Sequence, residues 1–383
     1  MITTEQKKWG GKYGWQDIGT NRLAGQAQLV LVFGGSDLVR DEIYFNQIRK
    51  WYPDARIVTA STAGEIVGTT VSDDCISLTA IRFDSTKLVL ADREIKNVGE
   101  SFAAGADLAS HFPSEGLVHV MVFSDGLRVN GTALVGGLIS RFPRNVAVTG
   151  GLVGDGSKFM HTYVGVDGPA KEGNIVAIGF YSKNLKVGYG SLGGWDSFGP
   201  ERKITKSKGN ILYELDGQSA LELYKNYLGE KAAGLPGTGL LFPLSLRIKE
   251  GDVDVEVVRT LLAINEKDGS MTFAGDMPEG VPAKLMKANF ERLVDGASGA
   301  AEQSLTLLKT KNPQLGILIS CIGRKLVLQE SIEDELDAVR YVIGDAAAIT
   351  GFYSYGEICP SVNTEKQCQL HNQTMTITLF YED

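Results

Sequence analysis

Gln28-Leu29-Val30-Leu31-Val32-Phe33-Gly34-Gly35 is an unbroken apolar run of strand length that ends in paired glycines. A continuous run, as opposed to an alternating one, marks a strand covered on both faces. Residues 41–52 then show helical spacing at Tyr44, Ile48, Trp51 and Tyr52, and Pro53 stops the helix. A return strand at 56–60 leads into Ser61-Thr62-Ala63-Gly64-Glu65-Ile66. The same order recurs near the other end of the chain. Gln314-Leu315-Gly316-Ile317-Leu318-Ile319-Ser320-Cys321 leads, after a helical stretch, to Thr350-Gly351-Phe352-Tyr353-Ser354-Tyr355-Gly356-Glu357-Ile358. A fainter copy lies between them: Val118-His119-Val120-Met121-Val122-Phe123-Ser124-Asp125-Gly126, a helix at 132–142, and Val146-Ala147-Val148-Thr149-Gly150-Gly151. In that copy Gly154-Asp155-Gly156 stands where the others have Gly-Glu-Ile. The recurrence predicts an α/β (mixed α+β) fold of internally duplicated strand–loop–helix–strand units, with mixed sheets covered by helices. Their loops should gather at one cleft.

Outward from these units, residues 1–26 are polar and read as an N-terminal arm. Strands are expected at 75–83 and 88–90, and a helix at 102–112 ended by Pro113. An antiparallel pair is expected at 160–166 and 175–181 across Asp167-Gly168. A strand at 185–192 runs into Gly193-Gly194, and a helix is expected at 220–228. The Gly/Pro loop at 234–243 reads as a domain junction. A strand at 258–264, a helix at 284–293 flowing into 297–307, and a period-two strand at 371–380 complete the pass. The division expected from length is the arm (1–26), a first domain at 27–215 and a second at 216–383.

Composition narrows the function. The 383 residues carry a net charge of −8, with 43% hydrophobic and 22% charged residues. That is ordinary for a globular protein and lacks the basic face that nucleic acid or an anionic membrane requires. Arg202, Lys203, Lys206 and Lys208 cluster near a turn and read as a solvated loop. No segment approaches the roughly 18 apolar residues of a membrane span, and Met1-Ile2-Thr3-Thr4-Glu5-Gln6-Lys7-Lys8 has no secretory core. Cys75, Cys321, Cys359 and Cys368 lack CxxC spacing, so reduced cysteines in a cytoplasmic protein are expected.

The loops after the buried strands, Phe33-Gly34-Gly35-Ser36-Asp37 and Ser124-Asp125-Gly126, could hold an anion on free N–H groups, but neither matches GxGxxG or a P-loop. Tight-turn geometry alone is the preferred explanation of such glycines. Of four histidines, His111 ends a helix and His119 lies inside an apolar strand. His161 and His371 follow repeat loops and could face a cleft. Cys321 ends a buried strand three residues before Arg324, which could lower its pKa; with His371 it could form a Cys/His dyad. A small buried hydrophobe is the preferred reading of Cys321. Glu65 and Glu357 recur at matching positions, as paired acids or as loop caps.

At these residues the chain resembles a known family. Ser61-Thr62-Ala63-Gly64-Glu65-Ile66, Thr149-Gly150-Gly151-Leu152-Val153-Gly154-Asp155-Gly156 and Val187-Gly188-Tyr189-Gly190 resemble the N-terminal FIST domain. Ser320-Cys321-Ile322-Gly323-Arg324, Phe352-Tyr353-Ser354-Tyr355-Gly356-Glu357-Ile358 and Leu370-His371-Asn372-Gln373-Thr374 resemble the C-terminal one. The resemblance implies a non-enzymatic sensor of bacterial signal transduction that binds small molecules such as amino acids. It includes the NosP-type nitric-oxide-sensing branch, whose members bind haem, act on a partner histidine kinase and are linked to cyclic-di-GMP or biofilm control. On that reading haem b is bound non-covalently, since CxxCH is missing, with His371 as first choice of axial ligand and His161 as second. The expected site comprises His371, His161, Cys321, Arg324, Ser354, Tyr355, Gly356, Glu357, Ser61, Thr62, Gly64 and Glu65. One alternative is an amino-acid-like ligand held by the Gly-Glu-Ile loops and Arg324. A second is an enzyme using Cys321 and His371. Expected partners are a histidine kinase or other signalling protein, a small-molecule or gas ligand, and a second copy in a homodimer.

Overall fold

Each repeat sets two parallel strands side by side and adds a third strand antiparallel to the first. In unit one Leu29–Gly34 pairs with Arg56–Ser61 in parallel and with Ile76–Phe83 antiparallel. In unit two Leu117–Ser124 takes Ala147–Leu152 and Asn174–Tyr181 in the same two roles. In unit three Leu315–Cys321 takes Ala348–Ser354 and Met375–Glu382. The chain is known from a computed structural model that describes residues 1–250, 253–361 and 368–383. The architecture is mixed α/β, as the sequence predicts. Every position of Leu29–Gly34 and of Leu315–Cys321 is buried, which is why both runs are apolar throughout. Helices Glu42–Trp51 and Gly131–Ile139 start where Asp41 and Asn130 accept hydrogen bonds from Ile43 N and Ala133 N.

After each return strand the chain crosses into a neighbouring unit. Glu65–Val67 of unit one pairs with Ala348–Ser354 of unit three. Val164–Val166 of unit two pairs with Arg56–Ser61 of unit one. Gly356–Cys359 of unit three pairs with Ala147–Leu152 of unit two. The opposite edges are Trp15–Ile18, which pairs outside Ile2–Trp9, and Lys87–Glu94 and Leu185–Leu192, one per sheet. Three six-stranded sheets therefore share one core. Phe33, Phe123 and Phe352 meet in it with ring centroids 4.9–6.0 Å apart, and Phe83, Phe180 and Phe380 form a second group.

Between Leu185–Leu192 and the helix Phe290–Leu308 the chain builds an additional antiparallel sheet, running from Trp195–Lys208 to Pro282–Ala288, with its own core around Leu212, Tyr224, Leu246 and Phe273. No helix among the described residues is long and apolar enough to cross a membrane.

Three expectations need correction. The polar arm is a strand: Ile2–Trp9 pairs along its whole length with Ile76–Phe83. Its inward Glu5 hides the pattern, because the carboxylate is buried by accepting Leu23 N at 2.6 Å beside Lys7. Val164–Val166 and Asn174–Tyr181 do not pair with each other. Asp167 instead ties the first to unit one, accepting from Arg49, Arg56 and Ile57 N. Finally, the helix expected at 284–293 is half strand: Pro282–Ala288 alternates in the sheet, and Asn289 caps the helix at Arg292 N.

Candidate functional site

Loops at the carboxyl ends of the parallel strands from all three units meet around a cavity of about 330 Å³. Unit one contributes Ser36, Thr62, Gly64, Glu65, Asp73 and Asp74, unit two Ser157 and Lys158, and unit three Ile322 and Lys325. Strand ends are where open α/β sheets leave loops free for ligands. Gly64 has φ +137°, a conformation open to glycine, and a side chain there would lie 2.6 Å from Lys325 Nζ. Lys325 closes that space by donating to Ala63 O at 2.9 Å and pairing with Asp73.

Thr62 donates to Glu65 Oε1 at 2.5 Å, while Cys75 N and Sγ approach Oε2 at 3.3 and 3.2 Å. Burial raises the Glu65 carboxyl to about 7, against the pull of the Thr62 and Cys75 hydrogen bonds. Unit three repeats the device. Ser354 donates to Glu357 Oε1 at 2.5 Å, and Thr374 N and Oγ1 donate to Oε2 at 3.1 and 2.9 Å. Burial likewise raises Glu357 to about 7. Unit two departs from it: Asp155 accepts from Phe159 N, Met160 N, His161 N and the Tyr355 hydroxyl, which fixes the loop under the cavity. Tyr355 stacks on Phe159 at 4.4 Å.

The expected site residues thus divide. Thr62, Gly64 and Glu65 line the junction cavity. Ser61 lies beneath it, accepting from Tyr163 N at 2.9 Å. Ser354, Tyr355, Gly356 and Glu357 are buried behind it. Arg324 is not available to an anion. Its side chain is fully buried, donates to Glu335 Oε2 through Nε and Nη2 at 3.0 and 2.7 Å, and reaches Gly193 O and Leu293 O. An arginine so saturated is an internal brace. Cys321 is 1% exposed, and burial, then the Glu357 charge, hold its thiol well above the usual range. His371 lies on a different sheet and hydrogen-bonds Cys359 O, so no Cys321–His371 dyad is assembled. His161 is exposed and paired through Nδ1 with Glu172 at 2.5 Å. His119 is buried against Thr149 and lowered to about 3 by burial, as an apolar-strand histidine should be.

His371 lines a separate cavity of about 530 Å³ between unit three and the additional sheet. Its Nε2 donates to Cys359 O at 3.0 Å, and burial lowers it to about 4, so the ring is neutral at pH 7. The ring nitrogen left to a ligand is Nδ1, beside Cβ, where a porphyrin would meet the residue's own backbone. The walls include Asp254, Glu256, Asn372, Gln303 and Thr374, and no Lys or Arg among the described lining residues could pair with haem propionates. These residues do not fit a haem b bound through His371. His161, on the surface, offers no apolar pocket. No group of three or more metal-ligating side chains occurs among the described residues.

Sequence reasoning missed Asp73, Asp74, Lys158 and Lys325. Only Lys325 adjoins a quoted motif. Strand-end loops thus gather charged residues from all three units around one cavity, and the family comparison gives the chain's class. The FIST N domain matches residues 28–218 and the FIST C domain residues 220–360. The chain belongs to the FIST family, whose domains are sensory ligand-binding domains of signal transduction. A comparison with curated proteins finds no match. Among solved structures, a cyanuric acid hydrolase from A. caulinodans is similar at 7% identity and a TM-score of 0.37, covering 100% of this chain and 99% of that one; at that level the likeness carries no argument.

Proposed function

We propose that this chain is a sensor for an amino-acid-like zwitterion, held in the junction cavity and read out by a partner signalling protein. One observation carries the reading. Lys158 and Asp74 both line the cavity, and neither has an ion-pair or hydrogen-bond partner among the described residues. An unpaired ammonium and an unpaired carboxylate in one cavity complement a ligand that bears both charges. The volume of about 330 Å³ lies at the small end of ligand pockets. Glu65, at its edge, is poised near neutrality, so a bound charge can change its protonation. The resemblance to FIST sensors that act on a partner histidine kinase makes a histidine kinase the first partner to test.

A thermal-shift panel of the amino acids, their amides and their decarboxylated amines tests the reading. A native-state ligand raises Tm, by about 2.7 kcal/mol of stabilisation at a hundredfold excess over Kd. The shift that Lys158→Gln or Asp74→Asn removes is expected only with ligands bearing both a carboxylate and an ammonium. A panel without any stabilising amino acid would discard the proposal. Haemin added to the same protein should give no sharp Soret band that depends on His371.

A further inference from the structure

The second cavity has a chemistry of its own, independent of the junction reading. Asn372 is fully buried, yet its Oδ1 has no hydrogen-bond partner. The amide is oriented by Nδ2, which faces Tyr355 O at 3.4 Å, so the oxygen is the atom left over. Asn372 lines the cavity, and an orphaned buried acceptor there costs stability unless something donates to it. Two further acceptors share the lining. Gln303 Oε1 is also buried without a partner, and His371, with Nε2 donating to Cys359 O, offers only the Nδ1 lone pair.

The opposite wall is acidic. Strand alternation places Asp254, Glu256 and Val258 on one face of Val253–Arg259, and all three line the cavity. Glu256 engages Ser245 through one oxygen, and Asp254 has no ion-pair partner among the described residues. In the strand pair Lys249 stands opposite Asp254 and Arg247 opposite Glu256, yet neither cation lines the cavity, and Arg247 is bonded to Glu201. Arg259 directs its N–H groups to the carbonyls of Asp276, Val258 and Leu370. No Lys or Arg lines the cavity among the described residues. Acceptors on one side and carboxylates on the other describe a ligand that brings N–H donors and positive charge.

We propose that this cavity is a second binding site, for a small organic cation carrying N–H donors, such as a primary di- or triamine or a guanidine. The ligand would bridge the repeat body and the additional sheet. The bridge already exists in the protein: Gln373, next to Asn372, donates to Leu240 O and Thr260 Oγ1, and its carbonyl accepts from Trp195 Nε1.

Titration calorimetry of the full chain tests this with spermidine and agmatine as probes, and with tetramethylammonium and glutarate as controls. At least one amine binds. Tetramethylammonium, which has charge but no N–H, binds about tenfold more weakly or not at all. Asp254→Asn with Glu256→Gln, both exposed and so compatible with folding, weakens amine binding about tenfold. Asn372→Leu removes the orphan acceptor and weakens it without abolishing the fold's unfolding transition. Lys158→Gln leaves the amine titration unchanged, which separates this site from the junction cavity. Absence of heat with both amines, equal binding of tetramethylammonium or glutarate, or unchanged affinity in the acidic double variant would overturn the proposal.

Discussion

The junction cavity presents one unpaired cation and one unpaired anion, whereas the cavity under the additional sheet presents carboxylates and orphaned acceptors with no Lys or Arg among its described lining residues. Both are built next to the same device, a hydroxyl three residues before a buried glutamate: Thr62 with Glu65 and Ser354 with Glu357. The repeats therefore supply the scaffold, and the chemistry comes from what each copy adds to it. Unit one adds Asp73 and Asp74 after its glutamate. Unit three adds the turn 371–374, which is pinned to Glu357 through Thr374. The copies share a frame, and the two cavities differ in what lines them.

The largest expected effect destroys both cavities together. Ending the chain at residue 218 removes Ala348–Ser354, on which Glu65–Val67 pairs, and Gly356–Cys359, which borders Ala147–Leu152. The shortened chain should show no cooperative transition in scanning calorimetry, since exposed edges and a shared core are both lost. A sharp transition near that of the full chain would show that the exchanged strands are dispensable.

Next in size is Glu335→Ala, which leaves Arg324 as an uncompensated buried charge and should cost about 3–5 kcal/mol in chemical denaturation. Because Arg324 also holds Gly193 O, a wall residue of the second cavity, this variant should disturb amine binding more than the junction cavity. Equal loss at both would erase the distinction between them.

The smallest effect is read from pH. Glu65 and Glu357 have folded values near 7, above an ordinary 4.5. The folded state then holds their protons more tightly, so their contribution is complete below about pH 4.5 and is lost as pH rises through 7. Relative to Glu65→Gln, the native protein should lose about 2–3 kcal/mol between pH 4.5 and 8. His371 works in the opposite direction: its folded value of about 4 makes its contribution complete above pH 6.5 and lost as pH falls through 4. A difference profile flat from pH 4.5 to 8 would remove Glu65 from any switching role.

Legibility in the sequence followed burial on two faces. Leu29–Gly34 and Leu315–Cys321 announce themselves because nothing polar can stand in them. The exchange itself did not: Glu65–Val67 is three residues long, and Val164–Val166, expected as part of a strand, pairs with residues distant in sequence. The glutamate motifs were visible as repeats, but their burial was not, and Arg324 read as free because its partner Glu335 lies on another helix. Asn372 was quoted beside His371 without being singled out; a missing hydrogen-bond partner is a property of space that no spacing records.

The strands that change unit are also the strands that carry the two glutamates. Glu65 opens the segment delivered from unit one to unit three, and Glu357 lies in the one delivered from unit three to unit two. Each glutamate therefore stands on a strand that is hydrogen-bonded into a neighbour's sheet, and Val164–Val166 completes the circuit from unit two to unit one. The three units are thus closed into a ring by exchanged strands, and none of them completes its sheet without the next.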